Sequence, residues 1–371
     1  MSRIILDHIT KRFGNTVAVD DLCLEIESGS FFSLLGPSGC GKTTTMRLIA
    51  GLETADEGRI WIGDRLVFDG KDRTFVPPGK RGIGMVFQNY ALWPHMTVRE
   101  NILFGLKVRR VTSAEQQQRL SRVLERLQVT ELADRYPSEL SGGQQQRIAL
   151  ARELVTGAGV LLMDEPLSNL DAKLRIDMRV ELKQLHEETG GTIIYVTHDQ
   201  IEALTLSTRM AVMKYGVMQQ TDVPSYVFAQ PANLFVAQFM GHTPINLITA
   251  TLAGSQLRFG DVGLPRPASL QALPDNETVL VAARPEELEL VAAPGPWSVP
   301  ARIESVLPMG YDSLLRVRVA SDVNAAADSQ IHLTVAADER TRSVGEGDSC
   351  HVAFDQKAVH YFDKDSGARI G

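Results

Sequence analysis

The sequence is poor in cysteine, in aromatic residues and in net positive charge, and it has no long apolar run. Cys23, Cys40 and Cys350 are odd in number and far apart, so they form no disulfide framework and no metal-ligand pair. That usage suits a reducing compartment. Acidic residues outnumber basic ones by 45 to 38, for a net charge of −7. The chain therefore offers no broad cationic face to a nucleic-acid backbone. Asp7, His8, Lys11 and Arg12 interrupt the N-terminus before any apolar stretch of signal length, and no later stretch reaches about 18 uninterrupted apolar residues. A cytosolic chain that does not itself span a membrane is expected.

What is present is ordinary globular material, 371 residues with 44% hydrophobic and 22% charged side chains, enough for about two domains. From Ile4 to about Gly216, short apolar runs alternate with helical patterns: FFSLLG (31–36), GIGMVF (82–87), VLLMDEP (160–166) and TIIYVTH (192–198). Strands without polar interruption, separated by helices, predict an α/β domain built on a mostly parallel sheet covered on both faces. Between Asn89 and Leu154 the strand signal vanishes, and SAEQQQRLSRVLERLQV (113–129) reads as helix before a break at Tyr136-Pro137-Ser138. An inserted helical subdomain over about 89–155 is expected, inside a domain of residues 1–235. From 236 to 371, prolines punctuate short alternating pieces such as LLRVRVA (314–320), where Leu315, Val317 and Val319 face opposite to Arg316 and Arg318; QIHLTVA (330–336) repeats the pattern. This part reads as a small all-β domain of five or six short strands, with Ala320–Ser329 as a loop.

The chemistry-bearing residues start with Gly36-Pro-Ser38-Gly39-Cys40-Gly41-Lys42-Thr43, which fits G-x-x-x-x-G-K-[ST] between an apolar run and a helical stretch. Glycines let successive N–H groups turn toward one point, and the helix adds its positive end, so together they cradle phosphates. Lys42 supplies a point charge, the Thr43 hydroxyl can ligate Mg²⁺, and Cys40 reads as a small residue lending its N–H. VLLMDEP brings the partner carboxylates. Asp164 can hold Mg²⁺ through water, and Glu165 is placed to orient or deprotonate a water attacking the terminal phosphate. A second anion-binding end is expected where Ser141, Gly142, Gly143 and Gln144 open the helix QQQRIALARELV. Ser141 fits an N-cap there, and two residues without side chains leave the first N–H groups accessible. The string LSGGQ arises by accident in only about one chain in two thousand, which argues against an incidental cap.

GPSGCGKTT, Gln88, LSGGQQQR, LLMDEP, SNLD and His198, in that order over the first 220 or so residues, resemble the nucleotide-binding subunit of an ATP-binding cassette (ABC) transporter. The resemblance implies the P-loop fold of that family and two such domains packed head to tail, as a homodimer or with a similar subunit. Each ATP with its Mg²⁺ would lie between the phosphate loop of one subunit, Thr44 included, and the Ser141–Gln144 end of the other. It further implies that Phe13 stacks on adenine, where Tyr or Trp is commoner, and that His198 reaches the γ-phosphate. Gln88 would join Mg²⁺ or the attacking water to a membrane partner, and Asp171 would cross the dimer interface. Asn169, where many relatives have Ala, has no counterpart in this scheme.

Leu92, Trp93 and Met96, just after Gln88, read either as core packing or as a groove for a short helix of a membrane-spanning partner, an interface that favours Trp and Met. GHTPINL (241–247), ARPEEL (283–288) and AVHYFDKDSGARI (358–370) resemble the oligonucleotide/oligosaccharide-binding (OB) fold regulatory extension of carbohydrate importers of the maltose type. Importers for glycerol phosphate, polyamines and ferric ion carry similar extensions, and a passive dimerisation module remains the plainer reading of this domain. The resemblance thus implies an importer ATPase at the cytoplasmic face of a bacterial inner membrane. It would work with two permease subunits and, indirectly, a solute-binding protein. A soluble ABC ATPase acting on nucleic acid or ribosomes is the rival, but such proteins carry two cassettes or a long coiled coil.

Overall fold

Parallel strands with alternating residues committed to two separate cores organise the first half of the molecule. The computed structural model describes residues 2–259, 262–308, 313–319, 331–337 and 344–371. The loop expected at 320–329 lies outside them. The chain divides into two compact units, Met1–Ser225 and Tyr226–Gly371, rather than at residue 235. The earlier boundary has a local cause. Carbonyls of Phe228 and Met240 accept hydrogen bonds from Arg284, and the Leu234 N–H donates to Gly367, so the helices Pro224–Ala229 and Leu234–Phe239 are tied into the second unit.

In chain order the first unit has β1 (Ile4–Phe13), β2 (Thr16–Ile26), β3 (Phe31–Leu35), α1 (Lys42–Ala50), β4 (Glu57–Ile62), β5 (Arg65–Asp69), β6 (Thr74–Phe75) and β7 (Ile83–Val86). There follow α2 (Val98–Val108), α3 (Ser113–Arg126), α4 (Gly142–Leu154), β8 (Val160–Asp164), α5 (Ala172–Thr189), β9 (Thr192–Thr197), α6 (Gln200–Leu206), β10 (Arg209–Lys214) and β11 (Val217–Asp222). The main sheet is six-stranded, β11-β10-β3-β9-β8-β7, parallel except for the β10–β11 pair. Every residue of β3, β8 and β9 is buried. Phe31, Leu161, Met163, Ile193 and Tyr195 face a core completed by α2–α6, while Phe32, Leu34, Val160, Leu162, Ile194 and Val196 face the other. Double-sided burial is why these strands read as unbroken apolar runs, and each large side chain so buried contributes about 1.5–3 kcal/mol.

The second core is closed mainly by α1 and by a five-stranded sheet, β2-β1-β4-β5-β6, whose pairings are antiparallel. This sheet escapes the sequence reading for a physical reason. Register shifts interrupt the β1–β2 and β1–β4 pairings, and His8 and Asp21 take left-handed backbone, so the period-two alternation is broken where it would be read. Helices of the inserted subdomain start on side-chain caps. Thr97 accepts from the Glu100 N–H, Thr112 from Glu115 and Ser141 from Gln144.

The second unit contains a six-stranded and a five-stranded sheet, more strands than the five or six expected. Ser298–Pro308 accounts for part of the excess: Pro300 and a register shift between Ile303 and Ser305 hide an 11-residue strand. Val281 and Leu252 of one sheet and Ile303, Val317 and Val335 of the other meet in one core, the strand-rich body expected from the alternation and OB-like as the resemblance implies. Leu315, Val317 and Val319 are buried, and Arg316 is exposed, as their spacing requires.

Candidate functional site

Four parallel strands side by side present their carboxyl ends at one edge of the sheet, and that edge is where ligands bind in open α/β folds. Strand order β3-β9-β8-β7 therefore sets four loops in a row: the glycine loop after β3, His198 after β9, Asp164 and Glu165 at the end of β8, and Gln88 after β7.

The glycine loop is shaped by close backbone approach. A Cβ on Gly41, whose φ is 102°, would lie 2.4 Å from the Ala18 carbonyl oxygen. One on Gly36 would lie 2.4 Å from that of Met213. Neither position tolerates a side chain. Ser38 and Gly39 are exposed at the tip, and Gly41 precedes the first turn of α1, whose unpaired N–H groups and dipole give the loop its positive pole. Lys42 opens that helix and is only 5% exposed. Its ammonium donates to the carbonyls of Gly36 at 2.7 Å and Pro37 at 3.1 Å, which holds the charge inside the loop. The Cys40 N–H is not offered outward as expected but donates to the Pro37 carbonyl at 3.3 Å. Burial also pushes the Cys40 thiol pKa up, against the pull of Lys42, and so disfavours the thiolate.

Across the sheet edge, the Thr43 hydroxyl donates to Asp164 Oδ1 at 3.0 Å, joining the loop to the acidic pair. Burial, first, and then the neighbouring Glu165 raise the Asp164 pKa, while the Thr43 hydrogen bond works the other way. A buried carboxylate and a hydroxyl at this separation form the oxygen-rich donor set that suits Mg²⁺. The adjoining Glu165 adopts φ 43°, and its N–H donates to the Val196 carbonyl at 2.9 Å. Glu165 Oε2 sits 3.1 Å from Nδ1 of the exposed His198. A carboxylate held beside an imidazole over a phosphate cradle is equipped to take a proton from water.

Ser168 and Asn169 carry links that motif reading misses. The Ser168 hydroxyl donates to the Glu165 carbonyl at 2.9 Å, and Gln88 Nε2 donates to the Ser168 hydroxyl at 3.4 Å. Asn169 Nδ2 donates to the Gln88 carbonyl at 2.9 Å. Asn169 thus fastens the segment after the acidic pair to the glutamine loop, across 81 residues of sequence. Asp171 caps α5, accepting from the Leu174 N–H at 3.0 Å.

Lys42, Thr43, Gln88, Asp164, Glu165 and His198 therefore belong to one connected site. The Ser141–Gln144 end is built separately. Ser141 and Gln144 form a reciprocal capping box, with the Ser141 N–H donating to Gln144 Oε1 at 2.9 Å. A Cβ on Gly143 would lie 2.6 Å from Leu174 Cδ2 of α5. Gly142 is exposed, at the mouth of the helix. Among the described residues these contacts run to the same helix and to α5, not to the glycine loop. Phe13 ends β1 with 49% of its surface open and the Lys11 ammonium 4.8 Å from its ring centre. Leu92, Trp93 and Met96 are half-buried: Leu92 packs on the helical core, and Trp93 lies against Phe104 with ring centres 4.3 Å apart. Arg152 of α4 stacks on Trp93 and donates to the carbonyls of Ala91 and Tyr90, both left-handed, at 2.6 and 3.2 Å.

A phosphate loop with its acidic partner is common to many nucleotide hydrolases. A second, outward-facing Ser-Gly-Gly helix end on an inserted helical subdomain narrows the class to an ATP-binding cassette, a nucleotide-binding ATPase. The ABC transporter family pattern matches residues 19–168, and the TOBE domain pattern matches residues 281–362. The chain is 46% identical to the trehalose/maltose import ATP-binding protein of Thermococcus litoralis, over 100% of both chains. It is 39% identical to the sn-glycerol-3-phosphate import ATP-binding protein of Paracoccus denitrificans, over 100% of this chain and 99% of the relative. A solved dimer of an ATP-binding cassette in a post-hydrolysis state, bound to ADP and Pi, superposes with a TM-score of 0.52 at 31% identity, covering 60% of this chain and 98% of that one. The chain belongs to the ABC transporter family, as an ATP-hydrolysing, ATP-binding subunit of the importer type. Subunits of that type work as dimers with membrane permease components. Among the described residues, no helix is long and apolar enough to cross a membrane.

Proposed function

We propose that this chain powers solute uptake, most directly of a sugar or oligosaccharide, as a head-to-tail dimer bound to two permease subunits at the cytoplasmic face of a cell membrane. The observation that carries the hydrolytic part is the pairing of Glu165 with His198 beside the Thr43–Asp164 contact, at the mouth of the loop that holds Lys42. Full-length similarity to a trehalose/maltose importer subunit supports the cargo class. The sn-glycerol-3-phosphate relative, matched over almost the same length, keeps a phosphorylated polyol as the second reading.

In this reading, ATP lies with its adenine against the open face of Phe13 and its phosphates over Gly36–Thr44. Lys42 leaves its loop carbonyls to neutralise the β- and γ-phosphates. Thr43, Asp164 and Gln88 would hold Mg²⁺, which when bound neutralises phosphate charge. Glu165 takes a proton from the water that attacks the γ-phosphate. His198 orients that carboxylate and reaches toward the same phosphate. Ser141, Gly142, Gly143 and Gln144 of the second copy close the site with N–H groups and a hydroxyl, and Asp171 borders the seam between copies. The exposed part of the Leu92–Trp93–Met96 cluster receives a permease helix, and Gln88 reports its arrival to the site. Reconstitution with the permease and a panel of solute-loaded binding proteins tests the cargo. Sugar-loaded proteins are expected to stimulate ATP hydrolysis. Stimulation only by glycerol phosphate selects the second reading, and no stimulation by any solute excludes the importer role.

A further inference from the structure

The six-stranded sheet of the second unit places three nitrogen-rich side chains on one face, Arg284 and His360 buried and Arg369 half-buried. Strand Thr278–Ala283 pairs with His360–Asp363 so that Ala282 lies opposite His360 and Leu280 opposite Phe362, and Phe362 in turn pairs with Arg369. His360, Phe362 and Arg369 therefore share a face, and Arg284, two residues beyond Ala282, continues it. The segment 228–241 covers the Arg284 part of this face. Arg284 stacks on Phe228 with its guanidinium carbon 4.0 Å from the ring centre, and its two terminal nitrogens donate to the carbonyls of Met240 and Phe228.

These contacts leave donors unmatched. Arg284 is 1% exposed and His360 2% exposed. Arg284 Nε, Arg369 Nε and both ring nitrogens of His360 are buried without a hydrogen-bond partner. Glu287 turns its Oε2 to the backbone N–H of Arg284, at 3.1 Å, rather than to the guanidinium. Among the described residues no carboxylate pairs with either arginine. The fields of Glu287 and Glu286 only partly offset the burial of the Arg284 guanidinium, whose pKa stays lowered, and a second guanidinium acting on the same imidazole adds to the cost. Burial, reinforced by the fields of Arg369 and Arg284, holds the His360 pKa down to about 4, so both arginines act on this imidazole.

We propose that Arg284, Arg369 and His360 form a buried binding site for one small tetrahedral oxyanion of the phosphate or sulfate class. Such an anion supplies the missing charge and enough acceptor oxygens for N–H groups that approach from three residues on different strands and turns. It would brace the last strand and the segment 228–241 against one another. The site is separate from the nucleotide loop.

The test uses the full chain carrying Lys42→Ala, which removes the loop lysine from the readout, with inorganic phosphate titrated at constant ionic strength by calorimetry. The expected result is saturable one-to-one binding that Arg369→Gln weakens at least tenfold while circular dichroism shows the fold retained. In the chain without the Arg369 change, the ring-nitrogen signals of His360 should shift as phosphate is added, which gives a readout even if the Arg369 variant fails to fold. Absence of saturable binding, unchanged His360 signals, equal binding by a folded Arg369→Gln chain, or a response to chloride alone would each overturn the proposal.

Discussion

The reaction rests on a few atoms whose spacing is set by the ends of adjacent strands. Glu165 Oε2, 3.1 Å from His198, is the group placed to accept a proton. Glu165→Gln should leave ATP affinity nearly unchanged and slow turnover by roughly 10²–10⁴, as for loss of a positioned base. Near-normal turnover in a steady-state assay would exclude it from that role. Asn169 is a positioning residue on the same scale. Asn169→Ala removes one hydrogen bond to the Gln88 carbonyl, worth about 0.5–1.5 kcal/mol. The permease-coupled ATPase rate should fall about two- to tenfold while the melting temperature drops by no more than a few degrees, a drop in melting temperature with an unchanged coupled rate marking Asn169 as merely structural. Lys42, Thr43, Asp164 and Glu165 were legible in the sequence because each follows or ends an uninterrupted apolar strand. Ser168 and Asn169 were not, because their partners lie on distant loops that only the fold brings near.

At the scale of elements, double-sided burial made β3, β7, β8 and β9 readable, and bulges made the antiparallel sheet opaque. The same logic explains why Ser298–Pro308 was hidden while Ser313–Val319 was plain: a proline and a register shift break one pattern, and nothing breaks the other. The β9–α6 junction that carries His198 rests on Glu202, whose Oε2 accepts from the Tyr195 and Thr197 hydroxyls at 2.9 and 2.7 Å, all three groups being buried. Glu202→Ala strands both hydroxyls and should cost about 1–3 kcal/mol for each group left unmatched. Glu202→Gln keeps an acceptor and should cost less. Equal losses in denaturant titration would contradict this role. The half-buried Trp93 and Met96 satisfy part of both readings of their cluster. Replacing both by Ala should preserve nucleotide hydrolysis by the isolated subunit and uncouple it from transport in vesicles. Unfolding of the isolated variant would assign the pair to packing alone.

For the whole molecule, the decisive feature is that the connected site and the Ser141–Gln144 helix end do not meet through any described contact of one chain. In the proposed head-to-tail dimer, one copy supplies the phosphate loop and base and the other supplies the cap. Membership of the importer family fits permease components as partners. The nucleotide-bridged dimer can be weighed directly. Light scattering on the Glu165→Gln chain with saturating Mg²⁺ and ATP should give twice the 40.8 kDa chain mass, falling to a single mass when Ser141→Arg blocks the cap. A Glu165→Gln chain that stays strictly monomeric with ATP, alone and when assembled with its permease subunits, would contradict the account.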